Sequence, residues 1–455
     1  MITIVAKNFI GGIWHEGPLD LSTLNPAKLS EVAGQAHSAS AEDVAYGVQV
    51  ARKALDKTRS IGPAKRADLV DALVQPMRRY ATEIAKYLTH ECGFTLKESQ
   101  EEVLEAICYC QLVAGQGACL ASRQVSWHPA HRDNQFVRRP IGVVTCFPSW
   151  REPFAGTLKL ILPAVMAGNA VIIKAPEHAI AISQWLARLI LESGLGEGLV
   201  SVVHGTDESI GCLLASDTGV DALIGDFGEE RAARYRQAIA GRLNARLEME
   251  PVGLNGVAVF DDAPIEKAAS IALEGAFLKS GQLRSSTKIA WVAEPLFDAF
   301  VQKATDMIKL VRVGDGLQES TTMGPLANVE AFESYLNGVG QVRGDTVIDG
   351  HPVNQGERLD LFVSPHVAKD SGNASPYFGD GPSLLIRPLN SLDQILGPMN
   401  SLSIVTRSAS TIRQVRENCR CNRLLVNVAT TGRTAPDWEK DLDTITRTLT
   451  IGAEA

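Results

Sequence analysis

The chain has 455 residues, enough for two or three packed domains rather than one. Hydrophobic residues make up 45% and charged residues 21%, ordinary globular values that exclude disorder as the main state. With 44 basic against 52 acidic residues the net charge is −8, so no basic surplus is available for nucleic acid. No targeting or membrane segment is expected. Met1 to Ile13 carries Lys7 inside its apolar run and lacks a small-residue cleavage site. The most apolar stretch, Leu158 to Ile173, is broken by Lys159, Pro163, Gly168 and Asn169. Eight cysteines are too sparse for a disulfide scaffold, and the pairs Cys108/Cys110 and Cys419/Cys421 are spaced too tightly for common metal motifs. Both pairs read as reduced thiols, no metal is expected, and the expected compartment is the cytoplasm.

Helical and strand periods alternate along the chain, which predicts an α/β fold. Ser40-Ala-Glu-Asp43 reads as a helix N-cap, with Val44, Val48, Ala51 and Leu55 forming one apolar face. Pro63 opens a second helix through Leu69, Leu73 and Met77, which Pro76 should kink. Arg123 to Arg139 is polar with scattered apolar residues, as in a projecting hairpin. Three short apolar runs, 141–146, 170–173 and 199–203, suit buried parallel strands. A helix from Ile180 to Ser193, closed by Gly194, joins the last two into a βαβ unit of a doubly wound sheet. Ligands in such sheets sit beyond the carboxyl ends of the strands. That singles out the loops at 148–153, 174–177 and 225–228. Ile445 to Ile451 alternates apolar and polar residues as a half-exposed strand does, and is expected to add to a partner's sheet.

Several segments together resemble the aldehyde dehydrogenase superfamily. They are Asn8-Phe-Ile-Gly-Gly-Ile-Trp14, Leu24-Asn-Pro26, the run from Leu162 to Lys174, Val313-Gly-Asp315 and Met323-Gly-Pro-Leu326. The resemblance implies a Rossmann-like dinucleotide domain (1–122 and 140–252), a catalytic domain (253–427) and an oligomerisation arm (123–139 and 428–455). It also implies assembly as a homodimer or tetramer, or as a hetero-oligomer with an active paralogue. In that family a cysteine thiolate attacks the aldehyde, an asparagine amide helps hold the oxyanion, and hydride passes to NAD or NADP. A glutamate then activates the hydrolytic water.

By resemblance, Glu250 fills the glutamate position, with Glu248 a rival if the register slips by two. The nucleophile pattern Phe-x-x-x-Gly-Gln-x-Cys reads Phe277-Leu-Lys-Ser-Gly-Gln-Leu-Arg284, ending on arginine 34 positions after Glu250. A guanidinium stays protonated and cannot attack a carbonyl. Arg151 follows Trp150 where the oxyanion asparagine belongs. Pro376 stands where a ribose-binding glutamate does, and Asp226, Glu229 and Glu230 crowd the loop that faces the pyrophosphate. Trp150, Lys174 and Glu177 are what remains of the dinucleotide site, so NAD or NADP is expected to bind weakly if at all.

Three readings follow. A catalytically silent homologue would pair Arg284 and Arg151 with Glu250, Glu152 or Asp226 and act as a structural or regulatory subunit. A binding module would use both guanidinium groups on a small anion. An active oxidoreductase would need a displaced nucleophile, with Cys146 or Ser285 the candidates.

Overall fold

The computed structural model describes residues 2–117, 123–127, 132–249, 253–342, 344–353, 360–370, 379–432 and 446–454. Ser40 caps the helix Ala41–Ser60 through a reciprocal pair: its hydroxyl accepts from the Asp43 amide at 3.0 Å, and the Asp43 carboxylate accepts from the Ser40 amide at 2.9 Å. The second helix departs from expectation. It divides into Pro63–Asp71 and Val74–Arg79 rather than bending. Pro76 has no N–H to give, and its ring would crowd the carbonyl four residues back, at Ala72, where the break falls.

Seven strands form the first large sheet, in the order Arg246–Met249, Ala222–Gly225, Val143–Phe147, Ala170–Lys174, Val200–Val203, Asn8–Ile10 and Ile13–His15. The first five are mutually parallel, and those of the βαβ unit are buried along their length. Continuous Val/Ile runs fit strands covered on both faces. Between Ala170–Lys174 and Val200–Val203 the chain returns through the helix Ile180–Ser193, which ends on left-handed Gly194. From Val143–Phe147 the strand order proceeds outward in one direction, then jumps back to Ala222–Gly225 on the other side. That reversal opens a crevice beyond the ends of Val143–Phe147 and Ala222–Gly225.

A second seven-stranded sheet is built wholly from residues 255–426, with Asn255–Val259, Ile289–Ala293 and Ser383–Leu389 near its centre. The helix Ala155–Ala167 lies in the core of the first half. Its Leu158, Ile161, Leu162 and Val165 are fully buried, each contributing about 1.5–3 kcal/mol of apolar transfer.

Within the segment expected to form a hairpin, Arg123–Trp127 pairs antiparallel with Arg132–Pro140. The carboxyl-terminal strand Thr446–Glu454 pairs antiparallel with Arg132–Pro140 of its own chain. One edge of the terminal strand is thus paired within its own chain, and the strand lies at the edge of this three-stranded sheet. Among the described residues no helix is long and apolar enough to cross a membrane.

Candidate functional site

The helix Ile265–Phe277 runs into a tight turn at Leu278–Gly281, where Lys279, Ser280 and Gly281 all have positive φ (51°, 55° and 69°). Two of the three carry side chains, a backbone state that costs about 1–3 kcal/mol per residue and persists only when its surroundings hold it. Here they do. The Lys279 amide donates to Glu98 at 2.6 Å, its ammonium donates to Glu102 at 2.5 Å, and the Ser280 hydroxyl donates to the Gly324 carbonyl at 2.8 Å. The buried Lys279 ammonium also lies 4.5 Å from the Phe94 ring centroid. Burial alone would lower the Lys279 pKa, but Glu102 and then Glu152 outweigh it and hold the ammonium charged. Glu102 accepts from the Phe154 and Ala155 amides as well, at 2.9 and 3.2 Å, tying the turn to the start of the helix Ala155–Ala167. A side chain at Gly281 would lie 2.3 Å from the Gly381 carbonyl, so this close approach requires glycine. The Lys288 ammonium bridges the same two segments, donating to the Gly281 and Gly381 carbonyls at 3.1 and 3.0 Å.

This turn presents Arg284 at the mouth of the crevice. Its Nε and Nη2 donate to one oxygen of Asp226, at 2.8 and 2.5 Å. Asp226 directly follows the strand Ala222–Gly225, and its amide donates to the Phe147 carbonyl at 3.0 Å, closing the crevice floor. Arg151 comes from the opposite wall. Its guanidinium forks onto Asp380 at 3.0 and 2.6 Å, reaches the second oxygen of Asp226 at 3.4 Å, and lies 4.4 Å from the Trp150 ring centroid. The structure therefore brings two guanidinium groups and two carboxylates together, with the buried Lys288 near enough to interact with Asp380 and Arg151. Asp226 is only 2% exposed. Burial pushes its carboxyl up, but Arg284, then Arg151, outweigh that and hold it below its ordinary range.

Lys174 ends its strand in a second charge cluster. Its side chain, 3% exposed, is 2.7 Å from Asp207 and 3.2 Å from Glu177. Asp207 lies just beyond the strand Val200–Val203; its other oxygen pairs with Arg231, from the first turn of the helix Glu229–Ile239. Glu177 also accepts from the Asp207 amide at 2.8 Å. Burial pushes the Asp207 carboxyl up, and Lys174 and Arg231 outweigh it in the other direction. Beside this cluster, buried Phe227 packs on Phe147 and Tyr235, with ring centroids 5.2 Å apart in each case.

The remaining sequence candidates fall apart from the two clusters. Glu250 and Pro376 lie outside the described residues. Glu248 is exposed on the strand Arg246–Met249. Glu152 pairs with Lys159 at 3.6 Å. Cys146 is fully buried within its strand, and burial pushes its thiol far above the ordinary range. Ser285 is half-buried, and its carbonyl accepts from Thr430 at 2.6 Å. Asp380, Asp207 and Arg231 were not anticipated. A cavity of about 640 Å³ bordered by Lys28, Arg312, Asp315 and Asp360 contains none of these site residues. Among the described residues, no group of three or more His, Cys, Asp or Glu side chains is arranged to hold a metal ion.

The family model described as the aldehyde dehydrogenase family matches residues 14–437. An α-ketoglutaric semialdehyde dehydrogenase of Bacillus subtilis (strain 168) is 28% identical over 406 residues, covering 87% of this chain and 83% of its own. A malonate-semialdehyde dehydrogenase 2 of Oceanobacillus iheyensis is 26% identical over 436 residues, covering 93% and 89%. Among solved structures, an NAD-dependent aldehyde dehydrogenase from Sinorhizobium meliloti superposes with a TM-score of 0.92 at 22% identity, covering 99% of this chain and 95% of that one. The NAD+ complex of an aldehyde dehydrogenase from Bacillus cereus gives 0.90 at 20% identity, covering 98% and 96%.

Proposed function

This chain belongs to the aldehyde dehydrogenase family, and within it we propose that the protein does not perform cysteine-dependent aldehyde oxidation but serves as a non-catalytic structural or regulatory member. The observation that carries this reading is the bond between Arg284 and Asp226. The strained turn that the family pattern uses to present a thiolate presents a guanidinium instead, held by a carboxylate. A guanidinium has no lone pair to offer a carbonyl at any working pH, so no thiohemiacetal forms from position 284. Arg151, at the oxyanion position, spends its donors on Asp380 and Asp226. Glu250 keeps the general-base role only by resemblance, and without an acyl-enzyme it has nothing to hydrolyse.

Competition weighs against the anion-binding reading, since an incoming anion must displace Asp226 and Asp380 from both arginines. A displaced nucleophile also finds little support: Cys146 is locked in an interior strand with its thiolate suppressed. The same proposal takes 1–122 with 140–252 as the nucleotide-type domain, 253–427 as the catalytic-type domain and 123–139 with 428–455 as an oligomerisation arm. It includes assembly with itself or with an active paralogue.

The test is to incubate the protein with NAD or NADP and α-ketoglutaric semialdehyde, malonate semialdehyde or an aminoaldehyde, following the absorbance of the reduced cofactor. No turnover above the blank is expected. Any such turnover would overturn the proposal, and its loss in Cys146→Ser would assign it to a displaced thiol.

A further inference from the structure

An open parallel sheet binds its ligand beyond the carboxyl ends of the strands, where the strand order reverses. In this chain the reversal lies between Val143–Phe147 and Ala222–Gly225. The ion pair of Arg231 with Asp207 crosses that region. Arg231 belongs to the helix that follows Ala222–Gly225, and Asp207 to the turn that follows Val200–Val203. Two other strands, Val143–Phe147 and Ala170–Lys174, run between them. At the usual strand spacing the two anchoring strands are about 14 Å apart. The helical segments that follow those strands, from Asp207 to Ser216 and from Glu229 to Ile239, pack on one another, so the ion pair ties their starts together over the intervening strand ends, and Lys174, at the end of one of those strands, joins it through Asp207.

A dinucleotide does not fit this arrangement. Its ribose and phosphate oxygens would need Lys174, already neutralised by Asp207 and Glu177. Its pyrophosphate would meet the helix Glu229–Ile239 at an N-terminus bearing Glu229 and Glu230, where the macrodipole's attraction for anions is opposed by like charge. The Phe227 ring fills space just before that helix.

From this we infer that Asp207 is an internal latch: its carboxylate occupies the two cations, Lys174 and Arg231, at the nucleotide end of the crevice. The inference extends the reading of a silent homologue from the reacting end of the cleft to the nucleotide end. Once the Asp207 charge is removed, Arg231 is released and Lys174 keeps Glu177 as its one carboxylate partner among these contacts. Release of Asp207 alone therefore raises affinity for adenine nucleotides, whatever stands at position 284.

Binding of ADP and of NAD to the full-length protein, measured by calorimetry without aldehyde, tests this. The parent protein should bind both weakly. Asp207→Asn, which keeps the shape and removes the charge, should bind ADP at least about tenfold more tightly, corresponding to one charge-assisted contact regained. Asp207→Ser removes the same charge with a smaller side chain and should also gain several-fold, whereas Arg231→Gln removes a cation, leaves Asp207 on Lys174 and should gain nothing. If Asp207→Asn does not fold, as judged by circular dichroism and its melt, the Asp207→Ser result decides. Folded Asp207 variants that bind ADP no better than the parent would overturn the latch, as would micromolar NAD binding by the parent. Because no aldehyde is present, that failure is distinct from failure of the proposed function, which only turnover can bring about.

Discussion

The turn that carries Arg284 and the cluster that Arg284 enters are both built from buried charge, yet they are held in different ways. Beneath the turn, Lys279 is enclosed, and Glu98 and Glu102 are fully committed to backbone amides and to its ammonium. At the crevice, Arg284 is 27% exposed and Arg151 13%, and each carboxylate that meets them comes from a different loop. The contrast teaches that a strained backbone can be kept in place by its support while the side chain it displays is exchanged. The support obeys packing and desolvation, where a lost partner is severe. The displayed cluster needs only partners for its charges.

The largest expected effect lies in the support. Glu102→Ala strands the Lys279 ammonium and two helix amides away from water, and should cost about 3–5 kcal/mol of unfolding free energy in a urea titration. In the crevice, Asp226→Ala should cost less, about 2 kcal/mol, because Arg284 can turn to solvent and Arg151 keeps Asp380. Arg284→Met should cost about 1 kcal/mol or less, since Asp226 retains Arg151. A reversed ranking of Glu102→Ala and Asp226→Ala would break the comparison.

The pH dependence sharpens it. Folded Asp226 and Asp207 have depressed pKa values, so the folded state binds fewer protons there than the unfolded chain. Their contribution is fully present above the ordinary carboxylate pKa and is lost as pH falls through the depressed folded values. The stability gap between the parent and Asp226→Asn should therefore be widest near neutrality and close under acid, as followed by thermal melts. The smallest effect is expected for Ser280→Gly. Relief of the left-handed backbone and loss of the bond to Gly324 are each about 1 kcal/mol and opposed, leaving a net change within about 0.5 kcal/mol.

What could be read from the sequence was what short-range rules govern. Ser40 with Asp43, the strand–helix–strand run closed by Gly194, and the antiparallel pairing within 123–139 each depend on neighbours along the chain, and each formed. Asp226 was legible as a partner for the arginines because an acidic residue in a loop at a strand's carboxyl end had few other places to act. Asp380 was not: it lies 229 positions from Arg151, and their meeting depends on the Gly281–Gly381 approach, which no local pattern announces. The Arg231–Asp207 pair stayed hidden for a related reason. Only the strand order and the packing of the two following helical segments bring those residues together. Pro76 signalled a disturbance correctly, but whether a helix bends or divides is decided by what packs on either side.

The backbone bond from Asp226 to Phe147 has a kinetic consequence. With the floor of the crevice stitched by main-chain pairing, the proposed latch opens only through the Arg231–Asp207 pair, whose arginine is 39% exposed and changes rotamer in about picoseconds to nanoseconds once the pair parts. A bolt that slides this quickly cannot delay an entering molecule. It competes at equilibrium, so any nucleotide would arrive at an ordinary association rate and be rejected through fast departure.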